Sequence, residues 1–298
     1  MIHVQHLTRL FPNGKGIQDV SFEVSEGEVF GFLGPNGAGK STTIRHLLGY
    51  MKPQKGHASI AGYDTWREQQ EARDRIGYLP GEMAFLENMT GRQFLDLMAR
   101  MQGNQNSQRQ RELMDRLQLD PKVPIRKMSK GMKQKVGIVA TFMHDPSVYI
   151  LDEPTSGLDP LMQQTFIALV LEEKARGKTF LMSSHSFPEI ERTSDRAAII
   201  KDGRIIDIRN VHDLQAMQRK QFDLTLKNKD DLARIYHKDL TVVDQLSELV
   251  VRVEVQNDYQ KFFRRLSDVD MANIAVSEQN LEDIFLDYYQ HSPKETPL

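Results

Sequence analysis

Residues 34–43 have the residue types and spacing needed to hold phosphate groups. They read Gly-Pro-Asn-Gly-Ala-Gly-Lys-Ser-Thr-Thr and match the pattern G-x-x-x-x-G-K-[ST] without a mismatch. Glycines allow backbone conformations that a Cβ forbids, so successive N–H groups can point at phosphate oxygens. Lys40 supplies a positive charge between the β- and γ-phosphates, and Ser41 offers a hydroxyl to Mg²⁺. The stretch therefore predicts a binding site for a nucleoside triphosphate.

Two adjacent acids, Asp152 and Glu153, follow an apolar run at residues 148–151. A carboxylate at the end of a strand can hold Mg²⁺ through water, and its neighbour can orient and deprotonate an attacking water molecule. Paired acids at strand ends are common, so the pair alone is a weak signal. Its position downstream of a phosphate loop, at a domain-scale distance, makes it a strong one and indicates nucleotide hydrolysis.

The elements around these residues alternate between strand and helix. Residues 29–33 form an apolar strand before the phosphate loop, and residues 41–48 have helical periodicity after it. Residues 90–119 are helical and interrupt the nucleotide core, and Ser129 is expected to cap a helix that runs to Phe142. Strands are predicted at residues 2–10, 20–24, 56–60, 76–80, 179–182, 197–200 and 204–208.

A change of pattern near residue 210 predicts a domain boundary. Residues 1–210 are expected to form a nucleotide-binding domain with a helical insertion at about residues 83–145. A linker helix is predicted at 211–219. Two β-α-β passes predict a small α+β domain at 220–291, for which a ferredoxin-like arrangement is one candidate, with a helix at 281–289. Residues 292–298 are polar and contain proline, which is typical of a frayed tail.

The bulk composition restricts the class of partner. The 298 residues have a net charge of −2, so overall charge gives no argument for nucleic acid or an anionic membrane. Lys130, Lys133 and Lys135 cluster on one predicted helix, but a place beside the nucleotide explains them better than nucleic acid does. The absence of cysteine excludes disulfides and suits a reducing cytosol.

Nothing in the sequence predicts a membrane span. The longest apolar run, residues 136–143, is too short to cross a bilayer, and residues 1–6 lack the features of a signal peptide. If the protein works at a membrane, another chain is expected to supply the spanning part.

Three segments together resemble ATP-binding cassette (ABC) proteins: residues 30–43, residues 148–160 and the Ser-Ser-His that ends at His185. Between them, residues 128–135 (Met-Ser-Lys-Gly-Met-Lys-Gln-Lys) lie where that family has its signature Leu-Ser-Gly-Gly-Gln. The motifs follow the family's order over residues 1–210. The resemblance implies an α/β fold, the P-loop ABC cassette, with a mixed sheet core, an antiparallel β part and a helical insertion.

The resemblance also implies a role for each motif residue. Lys40, Glu153 and His185 would be catalytic, with Glu153 as the general base on water and His185 contacting the γ-phosphate and holding Glu153. Ser41 and Asp152 would hold Mg²⁺. The residues that bind ATP would be Phe11, Gly34, Asn36, Gly37, Ala38, Gly39, Lys40, Ser41, Thr42, Ser129, Gly131 and Asp159.

Some of these residues would act only in a pair of cassettes. In this family two cassettes meet head to tail, so Ser129 and Gly131 would contact the γ-phosphate bound to the opposite subunit, with Asp159 at the same seam. Phe11 would stack on adenine, and the alternative from its spacing alone is a core aromatic at a strand end. Thr42 would contact the α-phosphate.

The chain departs from the family pattern at two positions. Gly81 replaces the glutamine that usually reaches Mg²⁺, so sensing of the metal and of the membrane partner would fall elsewhere, with Glu82 as a candidate. Lys130 replaces the first glycine of the signature and would add a charge near the opposing phosphates. Both changes resemble a subgroup that energises drug, antibiotic, peptide or polysaccharide exporters with separately encoded membrane subunits.

The resulting hypothesis is an ATP-hydrolysing subunit that uses ATP and Mg²⁺, pairs with a second cassette and drives separate permease subunits. It would be cytoplasmic and peripheral on the inner face of the membrane, and it would bind no nucleic acid. A soluble cassette protein acting on the ribosome or DNA is the alternative from another class. A weakly active, binding-only cassette is the third interpretation, since Gly81 lacks a side chain.

Overall fold

The computed structural model describes residues 1–103, 107–216, 220–237, 240–255, 259–267 and 269–278. The chain divides into two compact units, Met1–Val211 and His212–Leu298. No helix within the described ranges is long and apolar enough to cross a membrane.

The first unit alternates strands and helices along most of its length. In chain order its elements are β1 (Ile2–Leu10), β2 (Gly16–Val24), β3 (Val29–Leu33), α1 (Lys40–Leu47), β4 (Lys55–Ile60), β5 (Tyr63–Asp64), α2 (Gln69–Arg73), β6 (Ile76–Leu79), α3 (Gly91–Met101), α4 (Ser107–Arg116), a 3₁₀ turn (Ile125–Lys127), α5 (Lys130–Phe142), β7 (Val148–Asp152), α6 (Pro160–Ala175), β8 (Thr179–Ser184), α7 (Phe187–Thr193), β9 (Arg196–Lys201) and β10 (Arg204–Asn210). Helix α8 (Val211–Ala216) begins at the last residue of this unit.

Two sheets build this unit. The strands of the first follow the order β2-β1-β4-β5 and are antiparallel. The second has the order β10-β9-β3-β8-β7-β6, in which all neighbours are parallel except the edge strand β10. Strands β3, β8 and β7 are therefore neighbours and point the same way, so their carboxyl ends meet at one edge. The mixed α/β core predicted from the sequence is confirmed.

The main core lies between the two sheets and around α1. Phe22 of β2 stacks on Phe30 of β3 with ring centroids 5.4 Å apart. On another part of the parallel sheet, Tyr149 stacks against Phe142 at 4.5 Å and Phe180 at 4.7 Å. Strands β3, β7 and β8 are buried along their whole length, as expected of central parallel strands covered on both faces.

Polar caps fix where several helices begin. Thr90 and Gln93 form a reciprocal capping box at α3, which stabilises a helix start by about 1 kcal/mol. The Ser129 hydroxyl accepts from the Met132 N–H at 3.2 Å and caps α5, as the sequence predicted. Asp159 accepts from the Met162 N–H at 3.0 Å and caps α6 in the same way.

Several boundaries differ from the sequence prediction. Strand β2 begins at Gly16 rather than at residue 20, because its first residues pair with the end of β1 across a hairpin. Strand β8 continues through Ser183 and Ser184, since both pair with neighbouring strands although they are polar. The short helices α2 and α7 were not predicted.

After α8, the described residues of the second unit form one antiparallel sheet and two helices. Its elements are β11 (Lys220–Leu226), α9 (Asp230–His237), β12 (Thr241–Ser247), β13 (Val250–Val255), α10 (Tyr259–Arg265) and β14 (Met271–Glu278). The strand order β12-β13-β11-β14, with the β-α-β-β-α-β succession, is that of a ferredoxin-like fold. Phe222, Leu224 and Val253 contribute to a separate core cluster.

Most residues of strand β12 are exposed and do not alternate clearly, so the local sequence pattern does not reveal this strand. The described part of the predicted linker helix is α8, and residues 217–219 lie outside the described ranges. The predicted helix at 281–289 and the tail at 292–298 also lie outside them.

Candidate functional site

The phosphate-loop pattern lies between β3 and α1, where backbone geometry requires glycine. Gly37 and Gly39 have φ angles of +84° and +114°, which are strained for residues with a Cβ. A Cβ on Gly34 would lie 2.4 Å from the carbonyl oxygen of Ile200. Asn36 and Gly37 are exposed, whereas Ala38 and Gly39 are buried. The loop thus presents backbone groups to solvent ahead of a helix N-terminus, the arrangement that binds phosphate.

Lys40 is buried inside this loop, with only 5 % of its surface exposed. Its Nζ donates to the carbonyl oxygens of Gly34 at 2.5 Å and Pro35 at 3.3 Å, and lies 3.8 Å from Oε1 of Glu153. Burial lowers the pKa of Lys40, and the carboxylates of Glu153 and Asp152 partly offset that shift. An arriving phosphate would provide further compensation for the buried charge, so the site favours an anion.

Ser41 and Asp152 lie together although they are far apart in the sequence. The Ser41 hydroxyl donates to Oδ2 of Asp152 at 3.1 Å. The Ser183 hydroxyl donates to Oδ1 of the same carboxylate. Hydroxyl and carboxylate oxygens suit Mg²⁺, which proteins usually hold with one or two such groups while phosphates and water complete the octahedron. The donor set fits the metal that the sequence predicted.

Glu153 follows β7 in a left-handed conformation with φ of +48°. This backbone state is uncommon for residues other than glycine and clusters at functional sites. The Glu153 N–H donates to the Ser183 carbonyl at 3.1 Å. Its Oε1 lies 3.2 Å from Nδ1 of His185, whose side chain is 57 % exposed. The structure therefore brings together the three residues predicted to be catalytic, Lys40, Glu153 and His185.

The signature segment contacts the loop that follows Glu153 in the same chain. Lys130 Nζ donates to the Ser156 hydroxyl at 2.8 Å, and a Cβ on Gly131 would lie 2.6 Å from the Gly157 carbonyl oxygen. Ser129 is exposed at the start of α5. Across the described residues, no hydrogen bond or ion pair joins Ser129 or Asp159 to the phosphate loop.

Two further predicted residues have other neighbours. Phe11 is half-buried after β1, and the Arg9 guanidinium lies over its ring at 5.8 Å from the centroid. Thr42 is half-buried in the first turn of α1, where its carbonyl oxygen lies 2.8 Å from Nδ1 of His46. Stacking of Phe11 on a base and contact of Thr42 with an α-phosphate stay predictions.

Sequence reasoning used Ser183 and Ser184 only as part of the Ser-Ser-His motif and assigned no role to them or to Glu189. Ser183 bonds Asp152, while Ser184 donates to the buried carboxylate of Glu189 at 2.7 Å. A cavity of about 360 Å³ beside them is lined by both Glu153 and His185. The two hydroxyls before His185 were the available signal, because serine is unusual in a fully buried strand.

Comparison with known proteins gives the same assignment. The family described as ABC transporter matches residues 17–156. The bacitracin transport ATP-binding protein BcrA of Bacillus licheniformis is 33 % identical over 96 % of both chains. A solved ATP-binding subunit of an ABC transporter is 34 % identical, has a TM-score of 0.67, and is matched over 72 % of this chain and 92 % of that one.

A more distant structure shows the same fold. It is a dimeric ATP-binding cassette in a post-hydrolysis state with ADP and Pi, 21 % identical with a TM-score of 0.64, covering 71 % of this chain and 99 % of that chain. The phosphate loop, the paired acids after β7 and the histidine after β8 occupy neighbouring strand ends of this fold. The chain belongs to the ABC transporter family, as an ATP-binding subunit that hydrolyses ATP.

Proposed function

We propose that the protein is the ATPase subunit of an exporter whose membrane-spanning subunits are separate chains. The observation that carries the catalytic part is the placement of Glu153 Oε1, 3.2 Å from His185 Nδ1 and 3.8 Å from Lys40 Nζ. A carboxylate, an imidazole and a buried ammonium group thus converge beside a phosphate-binding loop.

Binding of ATP begins with the glycine-rich backbone. The N–H groups of residues 36–40 face the phosphates, and Lys40 leaves the carbonyls of Gly34 and Pro35 to contact the β- and γ-phosphate oxygens. Ser41 and Asp152 would hold Mg²⁺, which neutralises charge on the phosphates when bound. The hydrogen bond from the Ser183 hydroxyl keeps the Asp152 carboxylate oriented.

Hydrolysis then depends on Glu153. Its carboxylate accepts a proton from a water molecule, the water oxygen attacks the γ-phosphorus, and the bond to the β–γ bridging oxygen breaks. His185 fixes the Glu153 carboxylate and reaches the γ-phosphate from its exposed position. Lys40 stabilises the negative charge of the transferring group.

The proposed working form is a pair of cassettes. Ser129 and Gly131 would complete the ATP site of the opposite subunit, with Asp159 at the seam. Two observations support this: Ser129 is exposed at the N-terminus of α5, and the dimeric cassette bound to ADP and Pi shares the fold. ATP would hold the dimer together, and hydrolysis would release it.

The transport role rests on the similarity to BcrA, whose name describes bacitracin transport. The proposed partners are separately encoded permease subunits, and the place of action is the cytoplasmic face of the membrane. The surface for the permease would include residues 81–82 and the helices α3 and α4. The absence of a spanning helix in the described residues is consistent with a requirement for such partners.

The deciding experiment compares phosphate release by the wild type and Glu153→Gln, with the size of each measured in Mg·ATP. Removing a general base typically lowers the rate by about 10² to 10⁴-fold, while ATP binding should persist. The variant should therefore accumulate as a dimer. Glu71→Gln, an exposed change in α2, is the matched control and should behave as wild type.

Hydrolysis by Glu153→Gln at the wild-type rate would refute the assignment of Glu153 as the base. A wild-type chain that releases no phosphate even with its membrane subunits would be a binding-only cassette. ATPase activity that is the same with and without a permease, together with action on ribosomes, would favour the soluble alternative.

A further inference from the structure

A chain of buried hydrogen bonds supports the turn that carries His185. Glu189, in the first turn of α7, is only 7 % exposed, and its Oε2 accepts from the Ser184 hydroxyl at 2.7 Å. The Ser184 oxygen in turn accepts from the Ser186 N–H at 2.9 Å. Ser184 is itself 1 % exposed. These hydrogen bonds therefore hold Ser184 and Ser186, the residues on both sides of His185. The His185 side chain itself is largely exposed.

Burial of the Glu189 carboxyl group is unfavourable, and ordinary packing does not explain why a carboxyl group is buried here. Transfer of a carboxyl group from water into a protein interior is unfavourable unless its oxygens are hydrogen-bonded. Burial raises the pKa of Glu189, and side-chain hydrogen bonds with Ser184 and Thr155 act in the opposite direction. An apolar residue at position 189 would pack α7 without this desolvation penalty. The carboxyl group therefore points to a role that needs a hydrogen-bond acceptor.

The location of Glu189 relates that role to the reacting groups. Its side chain lines the cavity of about 360 Å³ that Glu153 and His185 also line. His185 Nδ1 is 3.2 Å from Glu153 Oε1, so a small displacement of the Ser184–Ser186 turn would break that contact. A displacement of about 1 Å can lower a catalytic rate by about 10²-fold.

We propose that Glu189 is a positioning residue for ATP hydrolysis, which acts by fixing Ser184 and hence the placement of His185 against Glu153. The inference rests on the roles proposed above for Glu153 and His185. Glu189 touches neither nucleotide nor metal in this scheme. The backbone bond from the Gly34 N–H to the Ser184 carbonyl, 3.4 Å long, does not involve either side chain. Loss of Glu189 should therefore lower kcat and leave the KM for ATP nearly unchanged.

The experiment measures kcat and KM for ATP, together with the melting temperature, in a set of side-chain variants of the full-length chain. Glu189→Leu removes the acceptor, Glu189→Gln keeps an acceptor oxygen, and Ser184→Ala removes the donor. Glu71→Gln, an exposed change in α2 outside this cavity, is the control. We expect Glu189→Leu and Ser184→Ala to lower kcat by about 10- to 100-fold with KM within about twofold. Glu189→Gln should keep most of the activity.

A second comparison separates positioning from general support of the fold. In a His185→Ala background, Glu189→Leu should lower kcat no further, because its effect passes through His185. A further loss in that background would overturn the proposal, as would wild-type kcat in Glu189→Leu or equal inactivity of the Gln and Leu variants. If Glu189→Leu does not fold, Ser184→Ala decides by the same measures. The Glu153→Gln experiment tests the proposed function on its own, so the proposal for Glu189 can fail while the proposed function stands.

Discussion

At the scale of single residues, Gly81 lies beside the carboxylate of Asp152. A Cβ built on Gly81 would lie 3.4 Å from the Asp152 carbonyl oxygen and 3.7 Å from its Oδ2, which is ordinary van der Waals contact. A Cβ at this position therefore fits next to the proposed Mg²⁺ ligand Asp152. Glu82, suggested by the sequence as a substitute, is exposed at the next position.

We predict that Gly81→Gln raises the apparent affinity for the Mg²⁺ that supports hydrolysis. An amide oxygen beside Asp152 adds a group that can orient the metal or its water, and such groups alter metal affinity by about tenfold or more. The Mg²⁺ concentration for half-maximal ATPase activity should fall by about threefold to tenfold, at an unchanged melting temperature. Activity measured across a Mg²⁺ titration checks this.

Gly81→Ala is the matched control, because it adds the Cβ without the amide. It should titrate like the wild type. An identical Mg²⁺ dependence for Gly81→Gln and Gly81→Ala would show that the position has no influence on the metal.

At the scale of elements, strand β7 leads to the two acids proposed to act in ATP hydrolysis and has a closely packed aromatic contact in its middle. Tyr149 packs against the rings of Phe142 and Phe180, with its hydroxyl buried and unpaired among the described residues. Burial raises the pKa of Tyr149, chiefly by desolvation, so the hydroxyl stays neutral. A buried hydroxyl without a hydrogen bond destabilises the folded state.

We predict that Tyr149→Phe stabilises the first unit. The ring contacts remain, and removal of an unsatisfied buried hydroxyl should raise the free energy of unfolding by about 1 kcal/mol. Urea unfolding followed by Trp66 fluorescence measures this, since Trp66 is the single tryptophan of the chain and lies in that unit. Tyr50→Phe, which keeps the ring under Arg73 and removes a hydroxyl from a 60 % exposed residue, should be neutral. A destabilised Tyr149→Phe protein would mean that the hydroxyl has a bound partner.

At the scale of the whole molecule, the two units have separate cores. The residues proposed to bind and hydrolyse ATP within one chain lie in Met1–Val211, and the ferredoxin-like sheet has its own apolar cluster. A domain with its own core can in principle fold alone. Val211 is buried and its N–H donates to the Asp195 carbonyl at 2.9 Å, so the natural end of the first unit includes this residue.

We predict that a chain ending at Val211 folds and keeps its nucleotide site. Its Kd for ADP, measured by calorimetry, should lie within about threefold of the full-length value, a difference of about 0.7 kcal/mol. Cooperative thermal unfolding of the same protein is the control for folding. Loss of ADP binding by a folded truncated chain would mean that the second unit contributes to the nucleotide site.

Local sequence patterns predicted the class of fold and most of the chemistry. The phosphate-loop pattern encodes its own geometry, since glycines at 37 and 39 allow the positive φ angles that a phosphate cradle requires. Apolar runs before residue 34 and before Asp152 predicted the two buried strands that deliver these residues. Local spacing was sufficient for these predictions because the residues of each motif lie within a few positions of one another in the chain.

Which side chains meet depends on the packing of distant segments. The order β3-β8-β7 places His185 next to Glu153 and Ser183 against Asp152, and strand order follows from crossover connections that no local pattern records. The same is true of Lys130, whose ammonium group lies on Ser156 of its own chain. Glu189 reads as an ordinary surface residue of a short helix until packing buries it against Ser184. Contacts between distant segments depend on the global packing, and they complete the site.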